Sequence, residues 1–312
     1  MPDQPILVTG GAGFIGSHLV DALLARGEQV RVLDNLSAGS LDNLATHPRL
    51  TVIEGDVGDL ATVTGAVAGC RAVVHLAAVA SVQASVEDPL GTHRTNLVGT
   101  LNLCEAMRQE GVRRILFASS AAVYGNQGEG RAIGETTTTA PLTPYAVDKL
   151  ASEQYLDFYR RQHGLEPVIW RFFNIYGPRQ NPASPYSGVI SILTERACSG
   201  APITIYGDGE QTRDFFYIDD LVALLLQGLD AAQPVLGPVN VGHGRSTSLN
   251  ELLALIEGWL GRPLQVDYSA PRSGDIRHSL ADNSRLRACY ALAEPVGMRE
   301  GLERLLRERK GA

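Results

Sequence analysis

Cysteine is scarce and poorly placed for chemistry: the four residues, Cys70, Cys104, Cys198 and Cys289, stand far apart, without C-x-x-C spacing and without a paired histidine. That pattern excludes a disulfide framework and a zinc-type ligand set, so no metal is expected and the thiols should pack as small apolar groups in a reducing compartment. No apolar stretch reaches the ~20 residues that a bilayer-spanning helix needs. The N-terminus runs straight into Pro5-Ile6-Leu7-Val8 with no basic leader or cleavage signal, so a cytoplasmic protein without a membrane partner is expected. Basic runs are missing too. A formal net charge of -7 repels phosphate backbones and anionic lipid alike, and nucleic acid is not an expected partner. There is no internal repeat. What is plentiful is ordinary: 44% hydrophobic and 20% charged residues over 312 positions can bury a large core in one big or two smaller domains.

Ile6 to Thr9 is a short apolar run ending in Gly10-Gly11-Ala12-Gly13-Phe14-Ile15-Gly16, and Ser17 to Leu24 carries the spacing of an amphipathic helix. Strand, glycine turn and helix form the setting of a dinucleotide site: glycine allows the tight turn and close backbone approach to a pyrophosphate, and the helix start faces the anion. The spacing Gly10-x-x-Gly13-x-x-Gly16 differs from the commoner G-x-G-x-x-G and, alone, would also describe a plain turn. A second run, Gln29 to Leu33, ends at Asp34. About 20 residues past the turn, an acid accepts hydrogen bonds from the adenosine ribose and repels a 2′-phosphate, so NAD is expected over NADP and over an Asp that only caps a turn.

Further apolar runs follow at Leu50 to Glu54, closed by Gly55-Asp56-Val57, at Ala72 to Leu76, closed by Ala77-Ala78, at Arg114 to Ala118 and at Glu166 to Trp170. Short strands alternating with helical segments predict an α/β fold: a doubly wound, mostly parallel Rossmann-type sheet with ligand at its carboxyl edge. Asp56 and Val57 suit the adenine ring, and His75 reads as a packed residue rather than a reactive one. The segment from Gly91 to Glu110 is helical in pattern. After Arg171, the turn-rich Tyr176-Gly177-Pro178-Arg179-Gln180-Asn181-Pro182 marks an exit from the first domain. The expected division is a dinucleotide-binding domain over 1-171, completed by about 215-241, and a smaller C-terminal α/β substrate-binding domain over 172-312.

One stretch carries chemistry. Good helix formers follow Pro144, which places Tyr145 and Lys149 on one face, i and i+4. A phenol with a pKa near 10 is a poor base at neutral pH, and a fixed cation beside it favours the phenolate. On a solvated helix the same spacing means nothing; its weight comes from what surrounds it. Ser119-Ser120 at the end of the fifth strand lies upstream, across the polar loop Asn126 to Thr143, and a hydroxyl there can share a substrate oxygen with the tyrosine.

From Gly10 to the loop at Arg272, the sum of these motifs resembles the extended short-chain dehydrogenase/reductase family, and within it the nucleotide-sugar 4-epimerases related to UDP-galactose 4-epimerase. The resemblance implies NAD held by Gly10, Gly13, Phe14, Ile15, Gly16, Asp34, Asn35, Asp56, Val57, Ala77, Ala78, Asn96, Tyr145 and Lys149. It implies a catalytic set of Tyr145, Lys149 and Ser120. It further implies a UDP-sugar substrate contacted by Ser120, Tyr145, Asn174, Val189, Thr204, Tyr206, Arg213, Arg272, Asp275 and Ser279. Arginine suits a diphosphate because its planar fork meets phosphate oxygens bidentately. A homodimer through the helices containing Asn96 to Glu110 and Tyr145 to His163 is also implied.

Within that family, 4,6-dehydratases carry Asp-Glu before the Val-Tyr-Gly segment and uronic acid decarboxylases carry a Glu, because their chemistry uses an additional carboxyl group. This chain has Ala121-Ala122 before Val123-Tyr124-Gly125. Oxidation of the sugar at C4 and its reversal, through a 4-keto intermediate and with NAD staying bound, is the expected reaction. Ser279, four residues after Asp275, is small where a Tyr in such epimerases restricts an N-acetyl group. UDP-N-acetylglucosamine and UDP-N-acetylgalactosamine are therefore the expected pair, alongside UDP-glucose and UDP-galactose. A one-way nucleotide-4-keto-sugar reductase and a non-catalytic NAD-binding scaffold stay open as alternatives, the scaffold against the intact Tyr145/Lys149 pair.

Overall fold

The computed structural model describes residues 4-127, 130-181, 188-271 and 276-311. The chain clusters into two compact units. One is formed by Met1–Val123, Pro141–Arg171 and Val222–Val239, the other by Tyr124–Ala140, Phe172–Leu221 and Asn240–Ala312. Along the chain the first unit runs β1 (Ile6–Thr9), α1 (Phe14–Ala25), β2 (Val30–Asp34), β3 (Leu50–Glu54), α2 (Leu60–Val67), β4 (Ala72–His75), α3 (Val82–Glu87), α4 (Pro89–His93), α5 (Gly99–Glu110), β5 (Arg114–Ser120), α6 (Pro144–His163) and β6 (Glu166–Phe172). There follow β7 (Asn174–Tyr176), α7 (Val189–Ser199), β8 (Ile203–Tyr206), β9 (Thr212–Tyr217), α8 (Ile218–Asp230), β10 (Pro238–Val241), β11 (Ser246–Ser248), α9 (Leu249–Leu260), β12 (Val266–Ser269), α10 (Ser284–Cys289) and α11 (Met298–Gly311).

Among the described residues, seven strands form one sheet in the order β10-β6-β5-β4-β1-β2-β3. The registers Ile6↔Val30, Ile6↔Ala72, Leu33↔Ile53 and His75↔Phe117 are all parallel. Parallel strands need helices over both faces, which is why β1 and β4 are buried at every position and read as unbroken apolar runs rather than alternating ones. Leu7, Leu33, Val63, Val73, Leu103, Met107, Phe117 and Leu156 form a core under α2, α5 and α6. Each fully buried side chain of this size contributes about 1.5 to 3 kcal/mol. Strand order reverses between β1 and β4, so their carboxyl ends, at Thr9 and His75, diverge into the crevice where doubly wound sheets bind ligand. The α/β class and the mostly parallel sheet expected from the sequence are what the first unit shows.

Two helical features position the site. The segment from Gly91 to Glu110 is helical as expected, but a π-helical turn, Arg94–Val98, lies between α4 and α5 and carries Asn96. α6 begins at the side chain of Thr143, which accepts from the Ala146 N–H, has Pro144 in its first turn, and ends at Gly164 in the left-handed conformation (φ 69°). Its buried face includes Ala146, Lys149, Ser152, Glu153, Leu156 and Tyr159. Three charged residues buried on one amphipathic helix, Asp148, Lys149 and Glu153, are an anomaly that packing alone does not explain.

In the second unit, β11, β9 and β7 make a three-stranded sheet, and β12 pairs with β8 in parallel. Asp214, wholly buried on β9, accepts from the backbone N–H groups of His243 (2.7 Å), Gly244 (3.0 Å) and Ala281 (3.0 Å), drawing three segments together. Burial pushes its carboxyl up to about 6 against those bonds. A capping box between Ser248 and Glu251 starts α9. No helix among the described residues is long and apolar enough to cross a membrane.

His75 ties the layers of the first unit. Its Nδ1 lies 2.8 Å from Thr9 Oγ1 and its Nε2 3.1 Å from Thr100 Oγ1, and Thr9 Oγ1 accepts from the Ala77 N–H. Burial, with the Lys149 charge adding to it, pushes the imidazole from 6.5 down to about 3. The unfolded chain therefore binds a proton below pH 6.5 that the folded protein does not bind until about pH 3, and stability declines as pH falls through that window. In His75→Gln, the unfolding free energy measured by denaturant titration should fall less steeply between pH 6.5 and 5, by up to about 1.4 kcal/mol per pH unit. An unchanged slope would show that the folded protein already protonates the ring.

Candidate active site

The first unit builds one site from β1 outward. Gly10 has φ +70°, and a Cβ on it would lie 2.8 Å from Ala77 N; a Cβ on Gly16 would lie 2.2 Å from Gly10 O. Only glycine lets the turn fold this tightly against the start of α1. Gly13 is the N-cap of that helix and provides no side-chain cap, so the first-turn amides at Phe14, Ile15 and Gly16 keep their capacity to meet an anion.

Asp34 does more than the sequence reading gives it. Its Oδ2 accepts from the Ala12 N–H and its Oδ1 from the Leu36 N–H, each at 2.9 Å, and the latter bond holds Leu36 at φ 58°. The turn-capping role set aside in the sequence reading is thus present, because one carboxylate can serve two backbone amides and keep lone pairs for a ribose. Asn35 Nδ2 donates to Asp56 Oδ2 (3.0 Å), and Asp56 Oδ1 accepts from the Gly58 N–H (2.7 Å). Gly10, Gly13, Asp34, Asn35, Val57, Ala77 and Ala78 line one cleft. Its floor of glycine and alanine, the uncapped helix start and the acid on its wall fit a dinucleotide. Phe14, Ile15, Gly16 and Asp56 lie beside this cleft in the chain rather than on its lining. Asn96 is buried and acts through its neighbour: it accepts from the Val79 N–H (2.8 Å) and donates to Val79 O (3.1 Å), fixing the segment that follows Ala77-Ala78.

At the end of β5, α6 places Tyr145 beside Ser120, whose hydroxyl opposes the upward shift that burial imposes on the phenol. Lys149, 3% exposed, donates from Nζ to Ala118 O at 2.7 Å and stands 5.9 Å from the centre of the Tyr145 ring. Burial pushes its ammonium down to about 8, against the carboxylates of Asp148 and Glu153. Burial prevails at Tyr145, and the phenol sits above its ordinary 10. The structure thus brings Ser120, Tyr145 and Lys149 together. Thr9, Thr100 and Ser152 were not anticipated. Ser152 Oγ lies 3.3 Å from Asn96 O and 3.4 Å from Thr100 Oγ1, which extends the His75 network into α6. A polar residue closing an otherwise apolar strand was the available signal at Thr9.

In the second unit, Asn174 Nδ2 donates to Asp214 O (3.2 Å), Arg213 Nη1 to Thr212 O (2.9 Å), and Ser279 N to Thr212 O (3.2 Å). Asn174, Arg213 and Ser279 therefore gather at the start of β9. Val189 opens α7, and Thr204 and Tyr206 lie on the exposed face of β8, whose end is tied toward β9 by Gln211 Nε2 donating to Tyr206 O at 2.7 Å. Arg272 and Asp275 lie outside the described residues.

Comparison with known proteins bears on this arrangement. The profile of the NAD dependent epimerase/dehydratase family matches residues 6–242. The chain is 40% identical over 304 residues to UDP-glucose 4-epimerase of Mycolicibacterium smegmatis, covering 95% of each. It is similar to the structure of UDP-N-acetylglucosamine 4-epimerase from Methanobrevibacter ruminantium in complex with UDP-N-acetylmuramic acid (TM-score 0.93, 36% identity, 100% of this chain and 99% of that one). It is likewise similar to the UDP-glucose 4-epimerase of Thermus thermophilus in complex with NAD (TM-score 0.90, 39% identity, 99% and 100% coverage).

Proposed function

The chain belongs to the NAD dependent epimerase/dehydratase family, and on that premise we propose that it inverts the configuration at C4 of a UDP-sugar. The observation that carries this reading is the seating of the Tyr145 phenol against Ser120, with Lys149 one helical turn behind and no carboxyl group at Ala121-Ala122. Such a set can move a proton on and off a hydroxyl but lacks the extra acid that elimination would use. Tyr145 takes the proton of the sugar 4-hydroxyl, Ser120 hydrogen-bonds the same oxygen, and Lys149 offsets the negative charge formed on the phenol. Gly10 to Gly16, Asp34 and Ala77 would hold NAD, which when bound would supply a reversible hydride acceptor and a positive ring that favours the phenolate. Asn174 and Arg213 are assigned to the diphosphate and nucleoside, as are Arg272 and Asp275, which lie outside the described residues. The glycine turn, where a Cβ on Gly10 or Gly16 would strike neighbouring backbone, and membership of an NAD dependent family support this cofactor assignment.

Ser279, whose N–H donates to the Thr212 carbonyl, carries a small side chain where a Tyr would restrict an N-acetyl group, so the pair assigned as preferred is UDP-N-acetylglucosamine and UDP-N-acetylgalactosamine, with UDP-glucose and UDP-galactose also turned over. A homodimer is proposed from a second observation. Val82, Val86 and Leu90 (82% exposed) on α3 and α4, and Val147, Tyr155 and Phe158 on α6, are exposed large apolar side chains on helices that pack against one another. Apolar surface concentrated in this way marks an interface.

Incubated with these sugars and no added cofactor, the wild-type protein should interconvert epimers. Tyr145→Phe should lower kcat about 100- to 10,000-fold. Retained turnover in the folded variant rejects the proton-transfer role, and consumption of added NADH with one-way product formation favours a reductase. Ser279→Tyr should slow the N-acetylated pair about tenfold or more relative to the other; equal effects on both pairs remove the gate. Leu90→Lys combined with Phe158→Lys should sediment as a monomer, and an intact dimer would move the interface elsewhere.

A further inference from the structure

Glu153 lies one helical turn beyond Lys149 on α6, is 5% exposed, and has three donors: Ser119 Oγ at 2.5 Å, and Arg171 from β6 through Nε at 2.9 Å and Nη2 at 2.6 Å. Burying two charges is costly, and an apolar pair in their place commonly leaves a fold as stable or more so. Stability is therefore a weak reason for placing this pair here. Its position suggests another. Tyr145, Lys149 and Glu153 recur every four residues on one face of α6, and each engages the last three residues of β5: Tyr145 with Ser120, Lys149 with Ala118 O, Glu153 with Ser119.

We propose that Glu153, clamped by Arg171 and Ser119, is a positioning residue that sets the depth of Lys149 against β5 and keeps its ammonium charged. This rests on the reading of Tyr145 and Lys149 given above. The charged and titratable groups around Lys149 are Asp148 and Glu153 on its own helix, His75 from β4, Tyr145, and Arg171 held against Glu153 from β6. Asp148 is itself engaged by His93 of α4 at 2.9 Å. Burial depresses the Lys149 ammonium to about 8, and the Glu153 carboxylate opposes that fall. Removing the carboxylate must move the ammonium further down, so the form that works with Tyr145 is lost at a lower pH.

The test is the pH profile of kcat for the wild type, for Glu153→Gln, and for a charge-free pair carrying Glu153→Met and Arg171→Met, which removes the cost of an unpaired buried arginine. In Glu153→Gln the alkaline limb should move down by about one pH unit, so that turnover near pH 8 falls about fivefold while KM changes less than about twofold, and in the charge-free pair the limb should move in the same direction. If Glu153→Gln does not fold, the charge-free pair decides alone. A wild-type limb in that pair, or in both variants, overturns the proposal and leaves the ion pair a structural strut. Failure of the underlying reading is seen separately, as retained turnover in Tyr145→Phe.

Discussion

The structure depends on the docking of one helix onto the end of one strand. α6 lays residues 145, 149 and 153 along β5, and a phenol, an ammonium and a carboxylate each find a partner among Ala118, Ser119 and Ser120. Because the spacing is one helical turn and the strand end is fixed in a parallel sheet, a small slide of the helix would break all three contacts at once. The Thr143 cap, Pro144 and the left-handed Gly164 set where the helix begins and ends, and Leu156 and Tyr159 bury its apolar remainder. The reactive geometry is therefore inherited from backbone elements rather than from a mobile loop.

The same economy holds at the glycine turn. Gly10 and Gly16 allow a backbone approach that no side chain would permit, Asp34 braces the turn through Ala12, and His75 carries a hydrogen-bonded link from Thr9 and Ala77 to Thr100. Ser152 continues that link to α6. The edge of the glycine cleft and the buried face of α6 are thus joined by one polar network within the first unit. Fully satisfied networks of this kind favour a single arrangement.

Much of this was legible in the sequence, for physical reasons. Parallel strands buried on both faces write themselves as short apolar runs, and the glycines, Asp34, Ser120, Tyr145 and Lys149 stand at strand ends and on one helical face where periodicity can find them. Boundaries were less clear. β5 extends two residues past Ala118 because Ser119 and Ser120 keep strand geometry despite their turn-forming character. α2 was missed: its Thr-rich, Gly-containing LATVTGAV is a poor helix by propensity, stabilised by the Asp59 cap and by packing on α5. α9 was missed although Ser248 and Glu251 spell a capping box. Glu153 and Arg171 were illegible for a different reason. Charges on a helix usually face water, and nothing in the local sequence says that this face looks inward.

The central claim is that the hydrogen on the sugar carbon leaves and returns as hydride while Tyr145 handles only the hydroxyl proton. The most direct test uses a UDP-sugar carrying deuterium at C4, converted in ordinary water, with the label measured at C4 of the isolated epimer. The account predicts that the deuterium is retained in full, because the same hydride goes back to the carbon it left. Replacement of the label by solvent hydrogen would mean that the carbon itself had been deprotonated, and would contradict the account.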